Sequence, residues 1–171
     1  MVFLDDFYTE EECDFLIKYF HENYCQDYNN GTNDSEILQI MLRRVQYDFS
    51  VLNYISAHPL KRWFHFRANM LRWRCLRRIQ EEFPFTRLMY DQLVHWPDGT
   101  FMDFHYDRKY TPWASVCYLN DDYSGGETVI EGKKIEPKRG RLIVFNGSKF
   151  IHGVNPVNGD RYTYTSWLGV K

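Results

Sequence analysis

His152-Gly153-Val154-Asn155-Pro156-Val157-Asn158-Gly159-Asp160-Arg161-Tyr162-Thr163-Tyr164-Thr165-Ser166-Trp167 reads as strand, turn, strand. A short apolar run leads into a cluster of Asn, Pro and Gly, and polar and aromatic side chains then alternate. Side chains two apart on a strand share a face, so Arg161, Thr163, Thr165 and Trp167 point one way. The turn-rich loop predicts a hairpin that lays the strand of Arg161 antiparallel beside that of His152.

The alternating period extends back to Pro84. Strand candidates are Leu88 to Trp96, Phe101 to Tyr106, Trp113 to Leu119, Thr128 to Glu131, Leu142 to Phe145, Ile151 to Val154 and Tyr162 to Val170. Turn signals separate them: Pro97-Asp98-Gly99, Ser124-Gly125-Gly126, Gly132, Pro137 with Gly140, and Gly147. Short strands at this spacing mean a sandwich or barrel.

Ahead of Pro84 the period is helical. Thr9-Glu10-Glu11-Glu12 is a capping box, and Cys13, Leu16, Ile17 and Phe20 continue it at helical steps from about Glu10 to His21. A second helix is expected from Ser35, with Ile37, Ile40, Met41 and Val45 on its buried stripe. A third starts at Pro59 and carries Trp63, Phe66, Met70 and Trp73 at three- and four-residue steps. Its Lys61, Arg62, Arg67, Arg72, Arg74, Arg77 and Arg78 read either as a nucleic-acid patch or as basic stems covering a sheet with their charges wet. The acidic remainder favours the second reading. The expected fold is mostly β with N-terminal helices: one domain over 1–171, with 1–84 mainly helical support and 85–171 a jelly-roll core.

The 171 residues carry a net charge of −2, which advertises neither nucleic acid nor an anionic membrane as partner. No apolar run approaches a membrane span, and no secretory signal is visible, so a cytoplasmic site is the default expectation. Cys13, Cys25, Cys75 and Cys117 form no CxxC pair and read as buried thiols in a reduced compartment. Oligomeric state leaves no mark on the sequence.

The chemistry gathers around His105-Tyr106-Asp107. On a strand His105 and Asp107 present an imidazole and a carboxylate to one point, and His152 is the candidate third ligand from another strand. Two histidines and one carboxylate make the facial triad of non-haem iron(II) sites, which leaves coordination positions open. Arg161 follows His152 by nine residues. An arginine pointing into a barrel is a buried unpaired charge unless an anion meets it, and a carboxylate would satisfy it bidentately, with Thr165 adding a hydroxyl.

These residues resemble the prolyl hydroxylase-type 2-oxoglutarate dioxygenases. The likeness runs from about Leu88 to Val170 through His105-Tyr106-Asp107, Val116-Cys117-Tyr118-Leu119-Asn120, Ser124-Gly125-Gly126-Glu127-Thr128, Glu136-Pro137-Lys138 with Gly140, His152-Gly153-Val154, and Arg161-Tyr162 with Trp167. It implies a double-stranded β-helix (jelly-roll, cupin-like) core and Fe(II), 2-oxoglutarate and O2 as cofactor and cosubstrates, with ascorbate as a reductant. It also implies that Tyr118 hydrogen-bonds the cosubstrate, whose far carboxylate rests on Arg161. The expected reaction hydroxylates an unactivated C–H bond, foremost that of a prolyl residue in a peptide or protein, with release of succinate and CO2. A small molecule, free amino acid or nucleobase is the alternative substrate, and a non-catalytic binding module the rival class. Where the family has a tyrosine and a glycine before the HxD, this chain has His95, Trp96 and Gly99. His95, Trp96, Tyr110, Trp113 and Trp167 are the expected pocket walls.

Overall fold

The structure, a computed structural model, describes residues 1–23, 38–41 and 59–171. In chain order the described elements are β1 (Val2–Leu4), α1 (Glu10–Asn23), β2 (Leu38–Met41), α2 (Pro59–Glu82), β3 (Thr86–Trp96), β4 (Met102–His105), β5 (Trp113–Tyr118), β6 (Ser124–Gly125), β7 (Thr128–Ile130), β8 (Lys133–Ile135), β9 (Leu142–Asn146), β10 (His152–Val154), β11 (Val157–Asn158) and β12 (Arg161–Val170). The seven strands read from the sequence are β3, β4, β5, β7, β9, β10 and β12. Every strand pairing among the described residues is antiparallel.

Two sheets form the core. A six-stranded sheet runs β1-β9-β5-β12-β3-β2, and a four-stranded sheet runs β4-β10-β7-β8. Ala114, Tyr118, Ile143 and Phe145 of the first pack against Ile130 and Ile135 of the second, which makes a jelly-roll sandwich. The outer face of the larger sheet carries Leu93, Cys117, Leu142, Val144, Tyr164 and Leu168, and both helices bury their apolar stripes on it. Strands β3, β5, β9 and β12 therefore spend one set of alternate residues on the helices and the other on the interior.

The capping box forms as expected: Thr9 N–H donates to Glu12 Oε2 at 2.9 Å and Glu12 N–H to Thr9 Oγ1 at 3.3 Å. Glu12 also receives Arg74 of α2 at 2.6 and 2.7 Å, so the cap fastens one helix to the other. Arg67 meets Glu11, and Arg78 meets Glu81 and Glu82, so much of the basic stretch is paired within the protein.

Three expectations need correction. Leu38–Met41 is a strand, not helix, because β3 offers it a free edge and backbone partners from His95 to Gln92. The rest of that expected helix, like Cys25, lies outside the described residues. On α2 the buried stripe is Ala68, Leu71, Arg72, Cys75, Leu76 and Ile79, while Phe66, Met70 and Trp73 are exposed. Arg72 does not reach water: it is 4% exposed and is paired with the fully buried Asp91 of β3. Cys13, Cys75 and Cys117 are buried free thiols, and burial pushes Cys13 up to about 11. Among the described residues no helix is long and apolar enough to cross a membrane.

Candidate active site

Strand β10 lies between β4 and β7, and its register puts His152 directly opposite His105. The two rings have centroids 4.4 Å apart. Asp107 follows the end of β4, where its N–H donates to Gly147 O at 2.9 Å. Gly147 is also what gives the carboxylate room: a Cβ there would fall 2.0 Å from Asp107 Oδ2. One ligand atom from each of His105, Asp107 and His152 lies within 4.8 Å of the other two.

The hydrogen bonds around the cluster settle the tautomers. His105 Nδ1 faces Asp103 O at 2.8 Å and His152 Nδ1 faces Phe150 O at 3.0 Å. A carbonyl only accepts, so each Nδ1 carries the proton, and in the neutral ring the Nε2 presents a lone pair. The Nε2 atoms lie 4.0 and 3.7 Å from the two oxygens of Asp107. Burial holds the His152 imidazolium below its ordinary value, which keeps the ring neutral. Asp107 Oδ1 accepts from Trp167 Nε1 at 3.3 Å, whereas buried Oδ2 has no hydrogen-bond partner. Three electron-pair donors without a proton to share are a set that a cation completes, and each imidazole is oriented through its other nitrogen, as metal-bound histidines are.

The cluster opens into a cavity of about 370 Å³ between the two sheets. Its far wall carries Arg161, which is 1% exposed. Arg161 Nη2 donates to Thr128 Oγ1 at 3.3 Å, but Nε and Nη1 have no partner. The guanidinium lies over the rings of Trp96, at 4.7 Å, and Tyr118, at 5.3 Å. A buried guanidinium with idle donors beside a cavity is what an anionic ligand would satisfy.

Trp96, Thr165 and Trp167 line this cavity. Three expected walls do not. His95 is on the opposite face of β3, stacked on Tyr162 at 4.5 Å and bonded to Asp160 Oδ1 at 2.7 Å, because one residue along a strand reverses the side chain. Trp113 by the same alternation faces the helices, against Phe83. Tyr110 is exposed and receives a hydrogen bond from Arg108. The Tyr118 hydroxyl is taken up inside the protein, donating to Thr128 Oγ1 at 2.7 Å and receiving Thr128 N–H at 3.2 Å, so Thr128, not Tyr118, lines the cavity. The predicted hairpin is also corrected. β12 pairs with β3 and β5 and β10 with β4 and β7, so residues 155–160 cross from one sheet to the other and Arg161 faces His152 across the sandwich. Sequence reading missed Tyr90, Gln92 and Arg108; the first two were legible by stepping back in twos from Trp96.

Residues 91–169 match the family model of the 2OG-Fe(II) oxygenase superfamily. No curated protein matches the sequence significantly. Three solved structures share the fold. A Pseudomonas putida prolyl-4-hydroxylase is 19% identical with a TM-score of 0.66, the match covering 99% of this chain and 92% of that one. The viral collagen prolyl hydroxylase of Paramecium Bursaria Chlorella virus-1 is 17% identical with a TM-score of 0.68, covering 99% and 96%. A Trichoplax adhaerens prolyl hydroxylase, in complex with a hypoxia inducible factor oxygen degradation domain peptide fragment, is 16% identical with a TM-score of 0.64, covering 99% and 83%.

Proposed function

We propose, from the match of residues 91–169 to the 2OG-Fe(II) oxygenase superfamily, that this chain is a member of it and a dioxygenase hydroxylating a prolyl residue in a peptide or protein. His105 Nε2, Asp107 and His152 Nε2 would hold Fe(II), and Arg161 with Thr165 and Thr128 would hold the far carboxylate of 2-oxoglutarate. Iron held there would supply the activation of O2 that couples breakdown of 2-oxoglutarate to succinate and CO2 with insertion of one oxygen into the substrate.

One observation carries the reading: a buried arginine with two unpartnered donors faces the same cavity as three proton-free ligand atoms. The site is shaped for a metal and an anion together. The remaining work belongs to the chain. Hydrogen bonds from the two Nδ1–H groups and from Trp167 fix the ligands in place, and Tyr118 holds Thr128 toward the cavity. Walls of Val94, Trp96, Val116 and Phe145 keep the interior apolar. The prolyl substrate is supported by the fold shared over nearly the whole chain with three prolyl hydroxylases.

The test is anaerobic addition of iron(II) and 2-oxoglutarate, read by the visible charge-transfer band of their complex, followed by a succinate assay with proline-containing peptides under air. A band that disappears in His152→Ala is the expected result. Folded protein that binds a metal but gives no band with 2-oxoglutarate would refute the cosubstrate assignment and move the molecule toward a binding role.

A further inference from the structure

Arg108 directly follows Asp107 and stands at the wall of the cavity, exposed. Its Nη1 donates to the Tyr110 hydroxyl at 2.7 Å, and the guanidinium lies 5.8 Å from that ring. The side chains acting on it are the phenols of Tyr110 and Tyr90. Tyr90 also lines the cavity and stacks on Trp167, whose indole reaches Asp107. The charged end of Arg108 therefore belongs to the same aromatic wall as the metal cluster. Arg139 and Arg141, elsewhere in this half of the chain, have carboxylates at Asp14 and Asp5; Arg108 has phenols in their place.

Charge accounting gives this cation a direction. On the function proposed above, on which this inference rests, the charges of a dication, Asp107, doubly ionised 2-oxoglutarate and Arg161 cancel. The loaded interior is then neutral, and Arg108 is the uncompensated charge at its wall. A substrate approaching the metal passes a guanidinium whose remaining N–H donors are free for a planar acceptor.

We propose that Arg108 is a specificity residue that selects substrates carrying a carboxylate beside the carbon to be hydroxylated. That carboxylate has two possible sources: an acidic side chain flanking the target residue in a peptide, or the α-carboxylate of a free amino acid. The exposed, aromatic-lined setting gives such a pair moderate strength and makes it sensitive to salt.

The experiment uses short peptides with one central proline flanked by Glu, Gln or Lys, together with free proline and prolinamide. Binding to the Mn(II)- and 2-oxoglutarate-loaded protein is measured by calorimetry, and kcat/KM for succinate release is measured on the iron enzyme. The Glu peptide is expected to exceed the Lys peptide by about fivefold in affinity at low ionic strength, a margin that shrinks as salt is added. Arg108→Gln should erase the preference and Arg108→Glu should reverse it toward Lys. A preference for proline over prolinamide, lost in Arg108→Gln, would place the carboxylate in a small substrate. Equal affinity for the three peptides together with equal affinity for proline and prolinamide, a preference that survives Arg108→Gln, or no binding of any carboxylate-bearing compound each overturns the proposal. If the Mn(II) form discriminates Glu from Lys while no compound yields succinate with iron, Arg108 keeps its role and the hydroxylase reading falls. The opposite pattern removes Arg108 alone.

Discussion

Gly147→Ala tests the proposed metal site without touching a ligand. The φ of Gly147 lies outside the left-handed region, so alanine fits the backbone, and the consequence is purely steric. The new methyl would sit 2.0 Å from Asp107 Oδ2, 2.8 Å from Cγ and 3.1 Å from Cβ. Carbon and oxygen that do not bond keep roughly 3.5 Å apart, so the carboxylate must retreat by about 1.5 Å. It then leaves both Trp167 Nε1, now 3.3 Å from Oδ1, and His152 Nε2, now 3.7 Å from Oδ2. Displacing a ligand or its support in this way costs about 10- to 100-fold in metal affinity. The cost to folding should be modest: Oδ2 has no hydrogen bond to lose, and Oδ1 loses only the long one from Trp167. Anaerobic calorimetric titration with Fe(II) or Mn(II), beside a thermal melt, reads both quantities. Affinity within twofold of the wild type would mean that Asp107 is not a ligand and would refute the steric reasoning; a large fall in Tm would mean that Gly147 serves the fold instead.

Gly125→Ala should act on the other half of the site. Its Cβ would strike Pro156 O at 2.2 Å from a backbone with φ +66°, disturbing the crossing loop that leads to Arg161, so the concentration of 2-oxoglutarate required for turnover should rise several-fold while metal affinity holds; a parallel loss of both would be contrary. Asp91→Ala removes the buried carboxylate that pairs with Arg72 and that accepts from Tyr164 Oη, at a cost of about 3–5 kcal/mol. A chemical-denaturation midpoint that barely moves would show the pair to be dispensable. Hydrogen bonding from Arg141, aided by Lys138, holds the Asp5 carboxyl at about 2 instead of its usual 3.8. Because the folded value is the depressed one, these pairs stabilise the protein above 3.8 and are lost as the pH falls from there toward about 2. Wild type and Asp5→Asn should therefore converge in stability across that window, and curves that stay parallel would contradict the assignment.

The sequence revealed the chemistry better than the paths between its parts. The cluster of His105, Asp107 and His152 and the inward Arg161 were legible because few structures need two imidazoles, a carboxylate and an inward guanidinium in one order. The alternation along β12 correctly put Arg161, Thr165 and Trp167 on the cavity side. What failed is what local signals cannot hold. Asn155 to Asp160 has the composition of a hairpin turn, and the same residues serve a crossing between sheets; only the strands already in place distinguish the two. On α2, Phe66-Met70-Trp73 and Leu71-Cys75-Ile79 both recur at helical steps, so periodicity permits either face. The choice falls to long-range partners: Arg72 to Asp91, and Leu71 O to the Tyr8 hydroxyl at 2.8 Å. Leu38–Met41 follows the same rule, since an apolar run of that length takes the form its neighbour offers. Gly147 and Thr128 were invisible because their importance lies in the space beside them.

The crossing between sheets also explains how His152 and Arg161, nine residues apart, come to line one cavity without sharing a sheet. His152 is fixed by β4 and β7, and Arg161 by β3. The loop between them is held at several points: Asn155 Nδ2 donates to Glu127 Oε2 at 2.8 Å, Gly126 N–H to Pro156 O at 3.0 Å, and Asn120 Nδ2 to Asp160 O at 2.7 Å. Gly126 leaves room for the stem of the arginine itself, since a Cβ there would lie 3.1 Å from Arg161 Cδ. The Ser124-Gly125-Gly126-Glu127 run is thus the seat of the crossing, and Thr128 at its end is the residue that Arg161 touches. Had β10 and β12 been neighbours in one sheet, His152 and Arg161 would stand side by side, facing out of the same surface. Placed on opposite sheets they face each other across a closed interior. On the proposed function, that interior would hold the dianion on Arg161 and the metal on His105, Asp107 and His152, with the side beside Arg108 left to the substrate.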